Sequence, residues 1–223
     1  MPAIYLDVAH LLAGSMLVLS FVLLYQDRIT AVLNAFALQA VALSLSVAWQ
    51  AFIQDAPLLL VTAGVAFVVK GIVIPTALHR IVRRLGIHRE IEEVISAGPT
   101  MLTGLGLVAL SMMLVLPVGE NVSILAREDL AFALAVILLG LLMMITRRNA
   151  VTQIVGFMSV ENGLVLAATG AKGMPLVVEI SVAFSILIAF IVFGVFVFRI
   201  RERFDTVDVS ALDRHRGERG EHV

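Results

Sequence analysis

The residue most suited to chemistry in this chain is Glu161, a single carboxylate near the middle of an apolar stretch at residues 150–169. An ionisable group at the depth of a lipid bilayer costs several kcal/mol unless a partner neutralises it or a function retains it. Burial also disfavours the anion of a carboxyl group, so such a group can bind and release protons near neutral pH. Glu161 is therefore the first candidate for a proton-relay residue.

Lys70 is a second ionisable residue inside an apolar run, and it precedes Arg80 by ten residues. That spacing is about 15 Å along a helix, a long reach to the membrane surface. One interpretation is that the four-carbon stem carries the ammonium toward the headgroups. The other, which the depth of Lys70 favours, is a buried functional or paired role.

Several uncharged polar residues accompany these two. Ser159 and Asn162 flank Glu161, and Gln39 lies in another apolar run at a depth close to that of Glu161. For Gln39 the favoured role is hydrogen bonding between helices. Hydrogen bonding between helices is also the alternative role for Glu161. In that case its carboxyl is permanently protonated, hydrogen-bonds to Asn162, Gln153 or Ser159, and stabilises the helix bundle.

Other titratable residues are weaker candidates. Glu179 is the nearest further acid and is placed toward the outer interface, where solvation is the more natural reading. His10 is near the end of an apolar run, where a solvated imidazole is common. We find no Ser-His-Asp arrangement, no His or Cys metal cluster and no phosphate-binding glycine loop. We expect no enzymatic activity from the chain alone and no cofactor bound to it.

The elements that position these residues are membrane-spanning helices. Hydrophobic residues make up 60% of the chain, charged residues 15%, and the mean hydropathy is +1.02. A net charge of −1 offers no basic face for nucleic acid. Runs of about 20 apolar residues have the length needed to cross the hydrocarbon core of a bilayer. No segment alternates between apolar and polar residues as a strand of a membrane β-barrel would. The sequence predicts an all-α polytopic membrane protein with seven transmembrane helices, at residues 8–25, 31–53, 57–78, 101–118, 130–146, 150–169 and 176–198.

The distribution of basic residues predicts the orientation. One side of the membrane receives Arg28, four arginines within 80–89, Arg147 and Arg148, and six arginines within 199–219. The opposite side receives only Arg127 and Lys172. By the positive-inside rule, the amino terminus faces outward and the carboxyl terminus is cytoplasmic.

The chain is also predicted to be duplicated. Helices one to three and five to seven end in similar arginine-rich exits, and the single fourth helix between them gives a 3+1+3 parallel internal repeat. The predicted domains are a first three-helix repeat at 1–83, a cytoplasmic amphipathic segment with the linking fourth helix at 84–128, a second three-helix repeat at 129–203, and a charged cytoplasmic tail at 204–223.

The second repeat resembles a known family. The turn Arg147-Arg148-Asn149, followed by an apolar helix with Gly156, Ser159, Glu161 and Asn162 and a third helix that ends in arginines, is similar to the K subunit of respiratory complex I and the C subunit of multi-subunit antiporters. A seven-helix chain with that unit at its carboxyl end resembles the hydrogenase-4 component E family of formate hydrogenlyase-type membrane arms.

This resemblance implies a function and partners. Glu161 takes the position of the proton-relay carboxylate of the K-type unit, whereas Ile186 stands at the position of its second carboxylate. The nearest acid, Glu179, lies two turns toward the outer face, so Lys70 or a group on a partner subunit would supply the missing step. The implied protein is a non-catalytic subunit of an energy-converting hydrogenase or complex I-like assembly in a bacterial or archaeal cytoplasmic membrane. Its implied partners are antiporter-like and other membrane-arm subunits, within the lipid bilayer.

Two alternatives stay open at this point. A 3+1+3 parallel repeat is also the architecture of SWEET-type small-molecule transporters, although aromatic residues, at 7%, are scarce for a sugar site. A purely structural membrane subunit would tolerate neutralisation of both Glu161 and Lys70.

Overall fold

The fold is a bundle of long helices. The computed structural model describes residues 3–85, 95–117 and 124–170, together with residues 187 and 194. In these residues the backbone is helical apart from short turns, and six helices are long and apolar enough to span a membrane. Their bounds are Ala3–Tyr25, Ile29–Gln54, 57–85, Ala97–Val115, Ile124–Thr146 and Ala150–Gly170, and we number them first to sixth in that order. The predicted all-α polytopic membrane architecture is confirmed.

Some predicted features lie outside the described residues. They include nearly all of the seventh span at 176–198, most of the amphipathic segment at 86–94, and the tail at 204–223. Glu179 and Ile186 lie outside as well. The seven-helix count, the 3+1+3 repeat and the domain boundaries drawn from it therefore stay predictions.

The helices are longer than the apolar runs that predicted them. The first begins at Ala3 instead of residue 8, the third continues to Leu85 past residue 78, and the fifth begins at Ile124 instead of residue 130. The extensions at the third and fifth helices contain arginines and acidic residues, which lower hydropathy but are compatible with helix. Hydropathy marks where a helix leaves the hydrocarbon, and the hydrogen-bonded backbone continues beyond that point.

Short turns fix neighbouring helices in antiparallel pairs. The second helix ends at Gln54 and is capped by Asp55, whose φ of 51° is left-handed. Pro57 starts the third helix at a position where its missing N–H costs no hydrogen bond. The sixth helix starts after Asn149, whose Oδ1 accepts a hydrogen bond from the Val151 N–H at 2.8 Å. This cap satisfies one of the free donors at the start of a helix.

The second and sixth helices form the interior of the bundle, and the third and fourth lie at its edge. The fifth and sixth helices pack most extensively, with glycine at their closest approach. A Cβ on Gly163 would lie 2.7 Å from Ile137 Cγ1 and 3.0 Å from the Ala133 carbonyl, and one on Gly140 would lie 2.9 Å from the Val160 backbone nitrogen. Small residues of this kind allow membrane helices to approach closely. This contact fixes the sixth helix, which carries Glu161.

Candidate functional site

The two predicted ionisable residues meet in the interior of the bundle. The ammonium of Lys70 lies 3.0 Å from Oε1 of Glu161, and the side chains are 2% and 6% exposed. Each residue lies about three turns or more from the start of its helix, and a turn rises about 5.4 Å. The pair therefore joins the third and sixth helices near mid-depth, and the headgroup-seeking interpretation of Lys70 is wrong.

The third helix changes its geometry around Lys70. Its first part, Pro57–Val65, and its last part, Ile74–Leu85, are α-helical, whereas Ala66–Val73 is a π-helix. The Ile74 N–H bonds to the Val69 carbonyl five residues earlier, which marks the wider turn. Such segments are rare and occur often at functional sites. Here the wider turn carries Lys70, whose side chain enters the core while the flanking turns keep ordinary helical geometry.

A network of uncharged side chains extends from the ion pair into the second helix. Lys70 Nζ donates to Asn162 Oδ1 at 3.0 Å, and Asn162 Nδ2 donates to Gln39 Oε1 at 3.2 Å. Gln39 Nε2 then donates to Ser20 Oγ at 2.8 Å and to Ser159 Oγ at 3.0 Å. Gln39 and Asn162 are fully buried. Four helices thus contribute to one polar network inside an apolar bundle.

The network brings together five of the six predicted relay and supporting residues: Glu161, Lys70, Gln39, Ser159 and Asn162. The sixth, Glu179, lies outside the described residues. The interhelical hydrogen bonding expected for Gln39 is present. Gln153 takes no part, because its Nε2 donates to the Arg147 carbonyl at 2.9 Å. Ser20 was not predicted as a member of the network. A single serine in an apolar helix usually donates its hydroxyl to a backbone carbonyl of the same helix. Ser20 does this as well, with the Met16 carbonyl as acceptor.

The chemistry of this arrangement follows from its groups. A carboxylate and an ammonium 3.0 Å apart can exchange one proton directly, which interconverts an ion pair and a neutral pair. The Asn162 amide accepts a hydrogen bond from the ammonium and donates one to the Gln39 amide, and neither amide carries an exchangeable charge. Moving the ammonium away from the carboxylate would change the proton affinity of both groups. The geometry is that of a buried proton-binding pair with a fixed polar support.

A second polar group, which was not predicted from the sequence, lies toward the end of the bundle where the first helix begins. Asp129 is 2% exposed, and its Oδ2 accepts a hydrogen bond from Gln50 Nε2 at 3.1 Å. His10 Nε2 lies 2.7 Å from Glu128 Oε2. From the sequence, His10 is expected to be solvated near a helix end, and the fifth span is predicted to begin at residue 130, after Glu128 and Asp129. The signal that could have found them is the acidic pair at the start of an apolar run.

The arginine turn also differs from its predicted role. Arg147 had been counted among the cytoplasmic loop charges, but it is 3% exposed, and its Nη2 donates to the carbonyls of Leu24 and Gln26 at 2.6 and 2.9 Å. These carbonyls lack helical partners at the end of the first helix, so a guanidinium is a natural cap for them. Arg148, by contrast, is exposed, as a loop charge should be. Arg147 therefore secures the first helix against the turn before the sixth.

Metal binding finds no support in the part of the chain that the structure describes. Within residues 3–85, 95–117 and 124–170, no group of three or more histidine, cysteine, aspartate or glutamate side chains is arranged to hold a metal ion.

Relatives of this chain are detected by sequence. An uncharacterized protein of Mycobacterium tuberculosis, Rv0085, is 29% identical over 205 residues, which cover 90% of this chain and 92% of that protein. Hydrogenase-4 component E of Escherichia coli K12 is 30% identical over 210 residues, covering 92% of this chain and 96% of the relative, and the protein of that name from Shigella flexneri matches equally well. No family model matches the chain, and no solved structure matches it. Similarity at this level over nearly the full length of both proteins places the chain in the hydrogenase-4 component E family.

Proposed function

We propose that this chain is a non-catalytic membrane subunit of a hydrogenase or complex I-like assembly, and that it contributes to proton translocation through the Lys70–Glu161 pair. The Escherichia coli relative is named as a component of a hydrogenase, and it aligns over 96% of its length. The simplest inference from that similarity is that this chain, too, is a subunit of a multi-subunit hydrogenase complex. Electron transfer and its cofactors belong to partner subunits in this proposal.

The observation that carries the proton role is the buried ion pair at mid-depth. Burying two charges in a low-dielectric core is costly, and replacing such a pair by apolar residues is often neutral or stabilising. A bundle that needed only cohesion could have used leucine and alanine at both positions. An ion pair at bilayer depth that is held by a dedicated network therefore supports a role in moving charge.

The resemblance to the K-type unit supports the same assignment. Glu161 stands at the position of that unit's relay carboxylate, and Lys70 supplies a second titratable group within reach of it. In the proposed cycle, Glu161 accepts a proton when Lys70 is drawn away and releases it when the pair reforms. The antiporter-like neighbour would receive or deliver that proton. We place the amino terminus outside and the carboxyl terminus in the cytoplasm, following the arginine distribution.

Membership of the complex is tested by purification from native membranes through an affinity tag on this chain. Co-purification of redox subunits and antiporter-like subunits, identified by mass spectrometry, is the expected result. Isolation of the chain alone, with solute transport by the purified chain in liposomes, would favour the small-molecule transporter instead.

The proton role is tested in liposomes that contain the assembled complex. Lys70→Met and Glu161→Gln should each lower the number of protons moved per electron, with electron transfer retained. Asp55→Asn is the control, because Asp55 is an exposed acid at a turn and asparagine tolerates its left-handed backbone. Normal translocation in both core variants would leave a purely structural role for the pair.

A further inference from the structure

Asp129 is a buried carboxyl that the Lys70–Glu161 network does not include. Its side chain is 2% exposed, and its Oδ2 has Gln50 as a hydrogen-bond donor. Its Oδ1 has no hydrogen-bond partner among the residues that the structure describes. A buried carboxylate needs several donors to remain charged, because desolvation penalises the anion. With one donor among the described residues, this carboxyl has an oxygen open for proton exchange.

A partly exposed pair lies next to Asp129. Glu128 precedes it in the chain, and the Glu128 carboxylate lies 2.7 Å from His10 Nε2. The Glu128 and His10 side chains are 39% and 29% exposed, and both are close enough to Asp129 to interact with it electrostatically. Imidazole is the side chain best suited to carry protons near neutral pH. The His10–Glu128 pair is thus a partly exposed neighbour of the buried carboxyl.

The position of this group relates it to the ion pair. Gln50 follows Gln39 by eleven residues on the second helix. Eleven residues make about three turns, so both side chains leave the same side of the helix, about 16 Å apart. The buried side chains between these levels are mostly apolar, such as Leu43, Val47 and Val165, with two serines of the second helix, Ser44 and Ser46, among them. The two polar sites are therefore stacked in the same core and separated by a mostly apolar layer.

The end of the sixth helix belongs to the same group. Gln54 Nε2 donates to the Thr169 carbonyl at 2.8 Å and to Gln50 Oε1 at 3.1 Å. Thr169 follows Glu161 by eight residues on the same helix. A displacement of the sixth helix that changes the Lys70–Glu161 distance would act through Gln54 on the donor to Asp129.

We propose that Asp129 and the His10–Glu128 pair form a second proton-exchange site, which connects the buried ion pair to the end of the bundle where the first helix begins. This site deepens the proposed function and rests on it. A proton taken from water by the His10–Glu128 pair passes to Asp129, and one proton leaves Asp129 for each that arrives, so the charge of the site is restored in every cycle. The ligand is the proton, and passage across the mostly apolar layer takes place when water enters it.

The first test uses the assembled complex in liposomes with sodium-free buffer. Asp129→Asn should lose proton translocation while electron transfer and subunit content are retained, and Asp129→Glu should restore translocation. Asp7→Asn serves as the control, because Asp7 is an exposed acid on the first helix. Normal translocation in Asp129→Asn together with its loss in Glu161→Gln would overturn the second site and leave the proposed function intact. Normal translocation in both variants would overturn both, and translocation that requires sodium would overturn the assignment to protons.

A second test covers the case in which Asp129→Asn fails to assemble. A hydrophobic carbodiimide reacts with protonated carboxyl groups in apolar surroundings, so the unmodified complex is treated in native membranes and digested for mass spectrometry. Modification of Asp129 but not of Asp7 is the expected result. An unmodified Asp129 would overturn the proposal whatever the variants do.

Discussion

The Lys70 ammonium on the third helix lies 3.0 Å from the Glu161 carboxylate on the sixth, and the same ammonium donates to Asn162, the next residue in the chain. Two consecutive residues of one helix therefore hold a single charged group of another. The π-helical turn at Ala66–Val73 surrounds Lys70, so a change in that turn would move the ammonium relative to both acceptors. The relationship links backbone geometry to the charge state of the core.

The first prediction concerns the ion pair and stability. Lys70→Met or Glu161→Gln alone should destabilise the purified chain by about 3–5 kcal/mol, because each leaves a buried charge without its partner. The double variant should lose less than the sum of the two single variants. Unfolding in mixed detergent micelles measures the three values, and additive losses would contradict a direct interaction.

The second prediction concerns the contact between the fifth and sixth helices. Gly163→Ala should destabilise the chain by about 1–3 kcal/mol, because overpacking forces the neighbouring atoms to shift. The atoms that the new Cβ would approach are Ile137 Cγ1 and the Ala133 carbonyl. Gly106→Ala is the matched control, since nothing lies within 4 Å of its Cβ position. Alanine is the better helix former, so the control should be neutral or slightly stabilising. Equal effects of the two substitutions in the same unfolding assay would show that the close contact is not formed.

The third prediction concerns the arginine turn. Arg147→Ala removes the buried donor to the carbonyls of Leu24 and Gln26. Leaving them unpaired should cost about 1–3 kcal/mol. Arg148→Ala should change stability by less than about 0.5 kcal/mol, because substitutions of exposed residues usually have small effects. Thermal inactivation of the two variants, compared side by side, distinguishes them. A larger loss for Arg148→Ala would reverse the assignment of the two residues.

The fourth prediction concerns the support of the ion pair. Gln39→Leu removes the acceptor of Asn162 Nδ2 and the donor to Ser20 and Ser159. We expect a loss of about 1–3 kcal/mol in stability, since polar groups in the core become unpaired. Proton translocation by the assembled complex should fall as well, because Asn162 no longer holds the Lys70 ammonium in its position beside Glu161. Full translocation in a stable Gln39→Leu variant would restrict the relay to the ion pair itself.

Much of the fold could be predicted from the sequence, because long apolar runs have few structural solutions in lipid. The cores of the first six spans agree with the structure, and only their ends differ. Polar residues such as Arg127 and Glu128 end an apolar run but do not end a helix, so hydropathy does not predict the helix ends. The π-helical turn at Ala66–Val73 was also beyond prediction, since its residues are apolar apart from Lys70 and carry no local signal for a wider turn.

The candidate site was predictable where a charge stood out against an apolar background. Glu161 and Lys70 were found in this way, Asn162 followed from its place beside Glu161, and Gln39 followed from its depth. Asp129 was missed because it stands beside two other charged residues at a helix start, where acids are usually solvated. Its burial depends on Gln50, a residue 79 positions away in sequence, and that relationship arises only from tertiary packing.

The most direct test is whether Glu161 changes its protonation when the complex works. Infrared difference spectra of the assembled complex, recorded between its oxidised and reduced states, report protonation of individual carboxyl groups by their carbonyl stretch. We predict a carboxyl band in the wild-type difference spectrum that disappears in Glu161→Gln and shifts in Lys70→Met. An identical carboxyl region in the wild type and in Glu161→Gln would contradict it.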